Sequence, residues 1–176
     1  QEAWPGGVLL AAKDGKIFFH EAFGFHTYNR EKKVLADDMF DLASLTKVIA
    51  TTAAVMKLYE QGLLDVDAKL ASYLPEFQGD TPEQIHMKGN VTIRHLLTHT
   101  AGLHAFDHFH KIAGTSQARW NAVVATKLRT PPGTECVYSD IGFMLLGKVV
   151  EKLSGKSLDQ FVQDEIFTPL AMGDTM

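Results

Sequence analysis

Three features of the sequence predict an α+β fold, in which an antiparallel sheet is flanked by helices and accompanied by a mostly helical subdomain. Two apolar runs, Val8–Ala12 and Lys16–Phe23, flank Lys13-Asp14-Gly15-Lys16, and Asp-Gly between apolar runs is the strongest short hairpin signal. Apolar residues then recur at three- and four-residue steps from Ser44 to Gln61, and again over Ile141–Leu153. No strand pattern follows the hairpin, so part of the sheet is expected to lie outside these residues.

The elements can be placed in order. Leu45, Val48, Ile49, Thr52, Val55, Met56 and Tyr59 form the stripe of the first helix, and Gly62 suits its end. Leu70–Leu74 reads as a short helix stopped by Pro75, and the polar stretch Gly79–Asn90 reads as loop. Thr92–His99 is expected to be a helix capped by Thr92 and ended by Gly102. Trp120–Leu128 is a helix closed by the turn Thr130-Pro131-Pro132-Gly133. Ile141–Leu153 stops at Gly155, and Ser157–Ile166 is a last helix with Ser157 as its cap. One domain is expected, with 1–62 as hairpin plus first helix and 63–176 as a mostly helical region. The start at Gln1 and the end at Thr175-Met176, with no terminal signal, suggest a chain that is part of something longer.

Composition removes several function classes. With 45% hydrophobic and 22% charged residues the chain is a globular sequence, not a disordered one. Seventeen Lys and Arg against 21 Asp and Glu, without a basic run, leave no electrostatic footprint for nucleic acid. The longest apolar stretches, such as Gly7–Ala12 and Gly142–Leu146, fall far short of the roughly 18 residues a membrane span needs. Cys136 stands alone, so no internal disulfide and no cysteine-based zinc site is expected.

The sharpest chemical feature is Ser44-Leu45-Thr46-Lys47 at the start of the long helix. A spacing of three puts the hydroxyl and the ammonium on one face, one turn apart. A serine needs a neighbouring base to become a nucleophile near neutral pH, and a lysine with a lowered pKa can serve. The same residues would also suit an N-cap and a surface lysine. A second cluster, Pro131-Pro132-Gly133-Thr134-Glu135-Cys136-Val137-Tyr138-Ser139-Asp140, displays Tyr138 after a tight turn, where it could share a proton with the Ser–Lys pair. Equally, Tyr138 could be a core aromatic ahead of a helix capped by Ser139 or Asp140.

These segments together resemble the penicillin-recognising serine hydrolases: class C type β-lactamases, D-Ala-D-Ala peptidases and the esterases of the same fold. The matching pieces are Pro5-Gly6-Gly7-Val8 with Asp14-Gly15, Phe40–Lys47, Thr92–Leu103, Pro131-Pro132-Gly133, Tyr138–Gly142 and Pro169-Leu170-Ala171-Met172, in the family's order. The resemblance implies a serine hydrolase in which Ser44 is acylated, Lys47 is its proton partner and Tyr138 moves protons in acylation and deacylation. It implies no cofactor and no metal, and a small-molecule ester, β-lactam or peptidoglycan-like substrate. It favours a periplasmic or extracellular setting. Two departures stand out. Asp140 occupies the substrate-binding position where the family usually has Asn, and an ionised Asp there could pair with Lys47 and raise the lysine pKa. The third family motif, with its strand and second oxyanion donor, is absent. The chain thus looks like the first half of a β-lactamase/transpeptidase-like domain, awaiting a second chain segment to complete the fold. The alternative from another class is a non-catalytic homologue that binds muropeptides or a protein partner.

Rival motifs fare worse. Gly155-Lys156-Ser157 has Val150 where a phosphate-binding loop needs glycine, and reads as a turn between helices. Gly114-Thr115-Ser116-Gln117-Ala118 misses the last glycine of a nucleophile elbow, and no strand precedes it. His95, His99, His104, His108 and His110 show no His-Glu-x-x-His spacing, and His99 falls in a family structural motif.

Overall fold

The opening strands pair as the Asp14-Gly15 signal requires. In the computed structural model, which describes residues 3–175, β1 (Gly6–Lys13) and β2 (Lys16–Gly24) run antiparallel, with Gly6 opposite Gly24 and Lys13 opposite Lys16. Asp14 and Gly15 have φ of 51° and 72°, and a tight two-residue hairpin turn needs positive φ at both places. The ladder slips where Ala11 opposes Phe19 but Ala12 opposes Ile17, so Phe18 is the extra residue of a bulge. At the far end Gly24 has φ of 71°, and a Cβ there would come within 2.2 Å of the Pro5 carbonyl. Only glycine lets the strands close at that point. Leu9, Leu10, Ile17, Phe18 and Phe23 are exposed, with apolar side chains on both faces of the hairpin.

The chain divides into two compact units, Gln1–Leu42 and Ala43–Met176. In the first, the hairpin is followed by a loop in which Asp38 accepts hydrogen bonds from the Leu35 N–H at 2.7 Å and pairs with His26 Nε2 at 2.9 Å. The second unit is helical, and the helix bearing Ser44 belongs to it.

The core of the second unit is built on α6 (Asp140–Ser154). Ile141, Leu145, Leu146, Val149 and Val150 are all fully buried, at the three- and four-residue spacing of one wide helical stripe. Each such side chain contributes roughly 1.5–3 kcal/mol by leaving water. Ser139 caps the helix, its Oγ accepting from the Gly142 N–H at 3.4 Å, and Gly155 ends it with φ of 70°. Against α6 pack α1 (Ala53–Glu60), α4 (Ile93–Leu97) and α7 (Leu158–Val162), which bring Val55, Leu58, Ile93, Leu96, Phe161 and Val162. Gly155-Lys156-Ser157 is the turn joining α6 to α7.

The observed elements depart from sequence expectation at four places. The first helix is not uniformly α: a 3₁₀ turn at Ala43–Leu45 passes into a π-helical stretch at Lys47–Thr52 before α1 begins. The Thr52 hydroxyl donates to the Lys47 carbonyl at 2.8 Å, serving a carbonyl within the widened turn. The stretch Gly79–Asn90, expected as loop, contains a helix, α3 (Pro82–Lys88), after the short α2 (Leu70–Tyr73). Its start has the chemistry of a helix N-terminus, with Thr81 accepting from the Gln84 N–H, Pro82 at the first position and Glu83 in the first turn. Polarity hid this helix because its inward face carries Gln84 and Lys88 beside Met87. Gln84 exchanges two hydrogen bonds with the backbone of Leu128, at 3.0 and 2.9 Å. The next helix, α5, spans Ser116–Ala125 and starts four residues before Trp120, because Thr115 caps it by accepting from the Ala118 N–H at 3.2 Å. After α7 the chain winds on as a π-helical stretch, Gln163–Phe167.

Candidate active site

Two chain segments meet at the site, and each is held by its own backbone. The first is the helix start. Ala43 has φ of 45°, which an alanine rarely adopts, and it delivers Ser44 into the 3₁₀ turn. Lys47 follows as the first residue of the π-helical stretch, and its Nζ donates to Ser44 Oγ at 3.2 Å. The spacing of three thus brings the two groups together as expected.

The second segment is the loop before α6. Its residues are clamped one after another onto the stretch 98–105. The Gly133 N–H donates to the Thr100 carbonyl at 2.7 Å, Val137 N–H to the His99 carbonyl at 2.9 Å, and Asp140 N–H to the Ala105 carbonyl at 2.7 Å. Ser139 adds two bonds, its N–H to His99 Nδ1 at 3.0 Å and its hydroxyl to the His104 carbonyl at 2.7 Å. Gly102 makes this template possible, since it has φ of 79° and a Cβ would fall 2.0 Å from the Thr130 carbonyl oxygen. Held in this way, Tyr138 is half-exposed and its ring lies under the Lys47 ammonium, 4.9 Å from Nζ. Asp140, the first residue of α6, reaches Lys47 Nζ at 2.6 Å. Ser44, Lys47, Tyr138 and Asp140 therefore converge, although more than ninety residues separate the two pairs.

Electrostatics in this cluster run against one expectation. Burial alone pushes Lys47 down, but the hydrogen bonds it donates to Asp140 and Tyr138, with their charges, outweigh it and hold its pKa above the ordinary lysine value. Of the two directions the sequence left open, a lysine lowered to act as base and a lysine raised by pairing with Asp140, the second is the one found. The group displaced toward neutrality is Tyr138. Hydrogen bonds with Ser44 and then Lys47 lower its pKa against the opposing effect of burial. His99 is lowered too, first by burial and then by the Lys47 cation.

From Ser44 a cleft of about 830 Å³ runs between α5 and α6, past Phe143 and Met144 toward Trp120, Arg119 and Lys148. Its apolar walls and charged far end suit an organic molecule better than an ion. The histidines weighed as metal ligands are scattered over other duties. His95 closes a capping box with Thr92, and His104 sits 3.9 Å from Asp107. Among the described residues no group of three His, Cys, Asp or Glu is arranged to hold a metal ion. His99 and Trp120 are the site residues that sequence reasoning passed over as site residues; their neighbours lie tens of residues away, and no local spacing signals them.

The family model described as Beta-lactamase matches residues 1–176. N-acetylmuramyl-L-alanine amidase of Bacillus subtilis (strain 168) is 39% identical, over 98% of this chain and 42% of its own. EstCE1, described as a hydrolase with promiscuous acyltransferase activity, has a TM-score of 0.80 at 27% identity, over 95% of this chain and 47% of its own. A class C beta lactamase has a TM-score of 0.75 at 28% identity, over 96% of this chain and 44% of its own. The chain spans less than half the length of each of these relatives. Mostly helical, with a small antiparallel hairpin and a family match along its whole length, it belongs to the beta-lactamase family.

Proposed function

We propose that this chain carries the nucleophile of a serine hydrolase that works through an acyl-enzyme on Ser44. The observation that supports this reading best is the opposed tuning of two groups around one hydroxyl. Tyr138 is shifted toward the phenolate and Lys47 is held as the ammonium, and both hydrogen-bond Ser44. Tyr138 then accepts the Ser44 proton while Lys47 stabilises the phenolate as a fixed cation. Ser44 Oγ attacks the carbonyl carbon of the substrate, the tetrahedral adduct collapses, and the leaving alcohol or amine takes the proton from Tyr138. Water gives its proton to Tyr138 in the second half, attacks the acyl carbon, and Ser44 leaves and recovers a proton.

Asp140 bears on the substrate. Its carboxylate is committed to Lys47 at 2.6 Å and, when ionised, it only accepts hydrogen bonds. An amide or β-lactam whose acyl side chain needs a donor at this place is disfavoured, whereas a small ester, which needs only the serine and its oxyanion site, is not. We therefore favour an ester substrate over a β-lactam or peptidoglycan-like amide, with turnover belonging to a longer protein that contains this chain and a further segment to complete the sheet. The test is a fluorophosphonate label on that longer protein, followed by peptide mapping. Modification is expected at Ser44. Labelling elsewhere, or none, removes the enzyme reading and leaves the non-catalytic homologue that binds muropeptides or a partner.

A further inference from the structure

His99 holds the Tyr138 segment through both its backbone carbonyl and its ring. Its backbone has φ of 59°, a conformation uncommon for residues other than glycine. That conformation lets one residue accept from both backbone neighbours of Tyr138. The His99 carbonyl takes the Val137 N–H at 2.9 Å, and Nδ1 takes the Ser139 N–H at 3.0 Å. The imidazole also lies against the Tyr138 ring, with centroids 4.5 Å apart, and against Phe143 on its other contact at 5.2 Å. Tyr138 is therefore gripped before, after and across its ring by a single side chain and its own peptide.

We propose that His99 is a positioning residue whose neutral imidazole aims Tyr138 at Ser44, and whose protonation at Nδ1 releases that aim and silences the site in acid. The inference rests on the acyl-enzyme reading above. An Nδ1 that accepts a hydrogen bond has its lone pair outward, so the neutral ring carries its proton on Nε2. Protonation would set an N–H on Nδ1 against the Ser139 N–H, two donors facing each other with no acceptor between them. The charged and titratable groups facing the ring are Lys47 from the first helix, Asp140 from α6 and Tyr138 itself. Burial and the Lys47 cation favour the neutral ring and Asp140 opposes them, which leaves the pKa below the ordinary histidine value of 6.5. The grip therefore holds at neutral pH and fails only on the acid side of that value.

Two substitutions separate the acceptor from the ring. His99→Phe keeps an aromatic face but loses the acceptor, so Tyr138 should drift and kcat should fall about 10²-fold with KM little changed. His99→Asn offers an amide oxygen near the Nδ1 position, tolerates positive φ and cannot be protonated. It should recover at least about tenfold of that loss. It should also erase the kcat inflection that the parent shows below the ordinary histidine range, while the inflection due to the Tyr138–Lys47 pair remains. All variants are assayed on an activated ester in the longer protein, beside Ser44→Ala. If His99→Phe fails to fold, the pH profiles of the parent and of His99→Asn decide alone. A His99→Asn profile that keeps the parental acid inflection, a His99→Phe enzyme with parental kcat, or no recovery in His99→Asn overturns the proposal. Activity that survives in Ser44→Ala overturns instead the acyl-enzyme reading beneath it.

Discussion

Lys88 on α3 and Lys47 at the start of the first helix are both withdrawn from water, Lys88 more completely, and among the described residues only Lys47 has a carboxylate in contact. Lys88 is 1% exposed and donates to the carbonyls of Gln78 at 3.1 Å and Val124 at 2.7 Å, with the Phe77 ring centroid 4.5 Å away. No anion touches it, and burial pushes its pKa down to about 8. Lys47 has the same kind of aromatic neighbours, Tyr138 and Phe143, but also Asp140 at 2.6 Å, and its pKa rises. Carbonyl dipoles and a ring face thus do not offset the burial of Lys88, whereas at the less buried Lys47 the Asp140 carboxylate and Tyr138 together more than offset it. A site that needed a lysine base would look like the surroundings of Lys88. Around Ser44 the directions are the reverse, with Lys47 held above the ordinary lysine value and Tyr138 below the ordinary tyrosine value.

The largest expected effect removes the nucleophile that both arms of the site serve. Ser44→Ala should lower ester turnover in the longer protein by about 10⁴-fold or more. Unfolding free energy should move by only about 0.5 kcal/mol, because one hydroxyl at an exposed helix start leaves no cavity. Steady-state kinetics with thermal unfolding as the control measures both. Retained turnover would mean that the Lys47–Tyr138 tuning serves something else.

Next comes the cation itself. Lys47→Met should reduce kcat by about 10²- to 10³-fold. It should also move the base-dependent limb of the pH–rate profile to higher pH, since Tyr138 loses a partner that holds its pKa down. A profile that only drops in height, with its limb unmoved, would deny Tyr138 the role of base.

Lys88 provides the contrasting measurement, in stability. Its folded pKa of about 8 lies below its ordinary value of 10.5, so the unfolded chain binds the proton more tightly. Unfolding free energy should therefore climb between about pH 8 and about pH 10.5, by about 3 kcal/mol from this group, and the gain is lost as pH falls back through 8. Lys88→Met should flatten the climb. It should also leave the Gln78 and Val124 carbonyls without a donor, a cost of about 1–3 kcal/mol for each buried group. Urea unfolding across that pH range, parent against variant, reads the difference, and parallel curves would show that Lys88 titrates normally.

The two lysines also mark what could be read in the sequence. Ser44 and Lys47 are three apart on one helix, so their contact is local and visible. The hairpin was legible because Asp14-Gly15 supplies a backbone conformation that few other pairs tolerate. Tyr138 and Asp140 were placed by family resemblance, since nothing near them in sequence points to Lys47. The helix around Lys88 was read as loop because its inward face is polar, and its acceptors lie 10 and 36 residues away. The π-helical turn at Lys47–Thr52 was also hidden, since the apolar stripe is the same for a helix that widens locally. His99 was visible as a motif member but not as the clamp on Tyr138, which depends on bonds spanning about forty residues.

The smallest effect expected is also the most specific, and it acts on the carboxylate that contacts Lys47 and has no counterpart at Lys88 among the described residues. Asp140→Asn leaves the side-chain volume nearly unchanged but removes the anion 2.6 Å from Lys47. The raising influence of Asp140 on Lys47 then disappears, and burial should pull the lysine down toward the behaviour of Lys88. At the same time an amide N–H replaces a pure acceptor beside the acyl group, which offers a hydrogen bond to a substrate carbonyl that Asp140 repels. A neutral hydrogen bond contributes about 0.5–1.5 kcal/mol net, so the ratio of kcat/KM on a cephalosporin to that on a short p-nitrophenyl ester should rise about two- to tenfold. Loss of a negative charge from the first turn of α6 costs about 0.3–1 kcal/mol through the helix dipole, too little to unfold a helix with five fully buried aliphatic residues. A change in substrate ratio without a large fall in melting temperature would tie specificity to this carboxylate. A parent that already prefers the cephalosporin, or a ratio that does not move, would show that Asp140 tunes Lys47 and leaves the choice of substrate to other residues of the cleft.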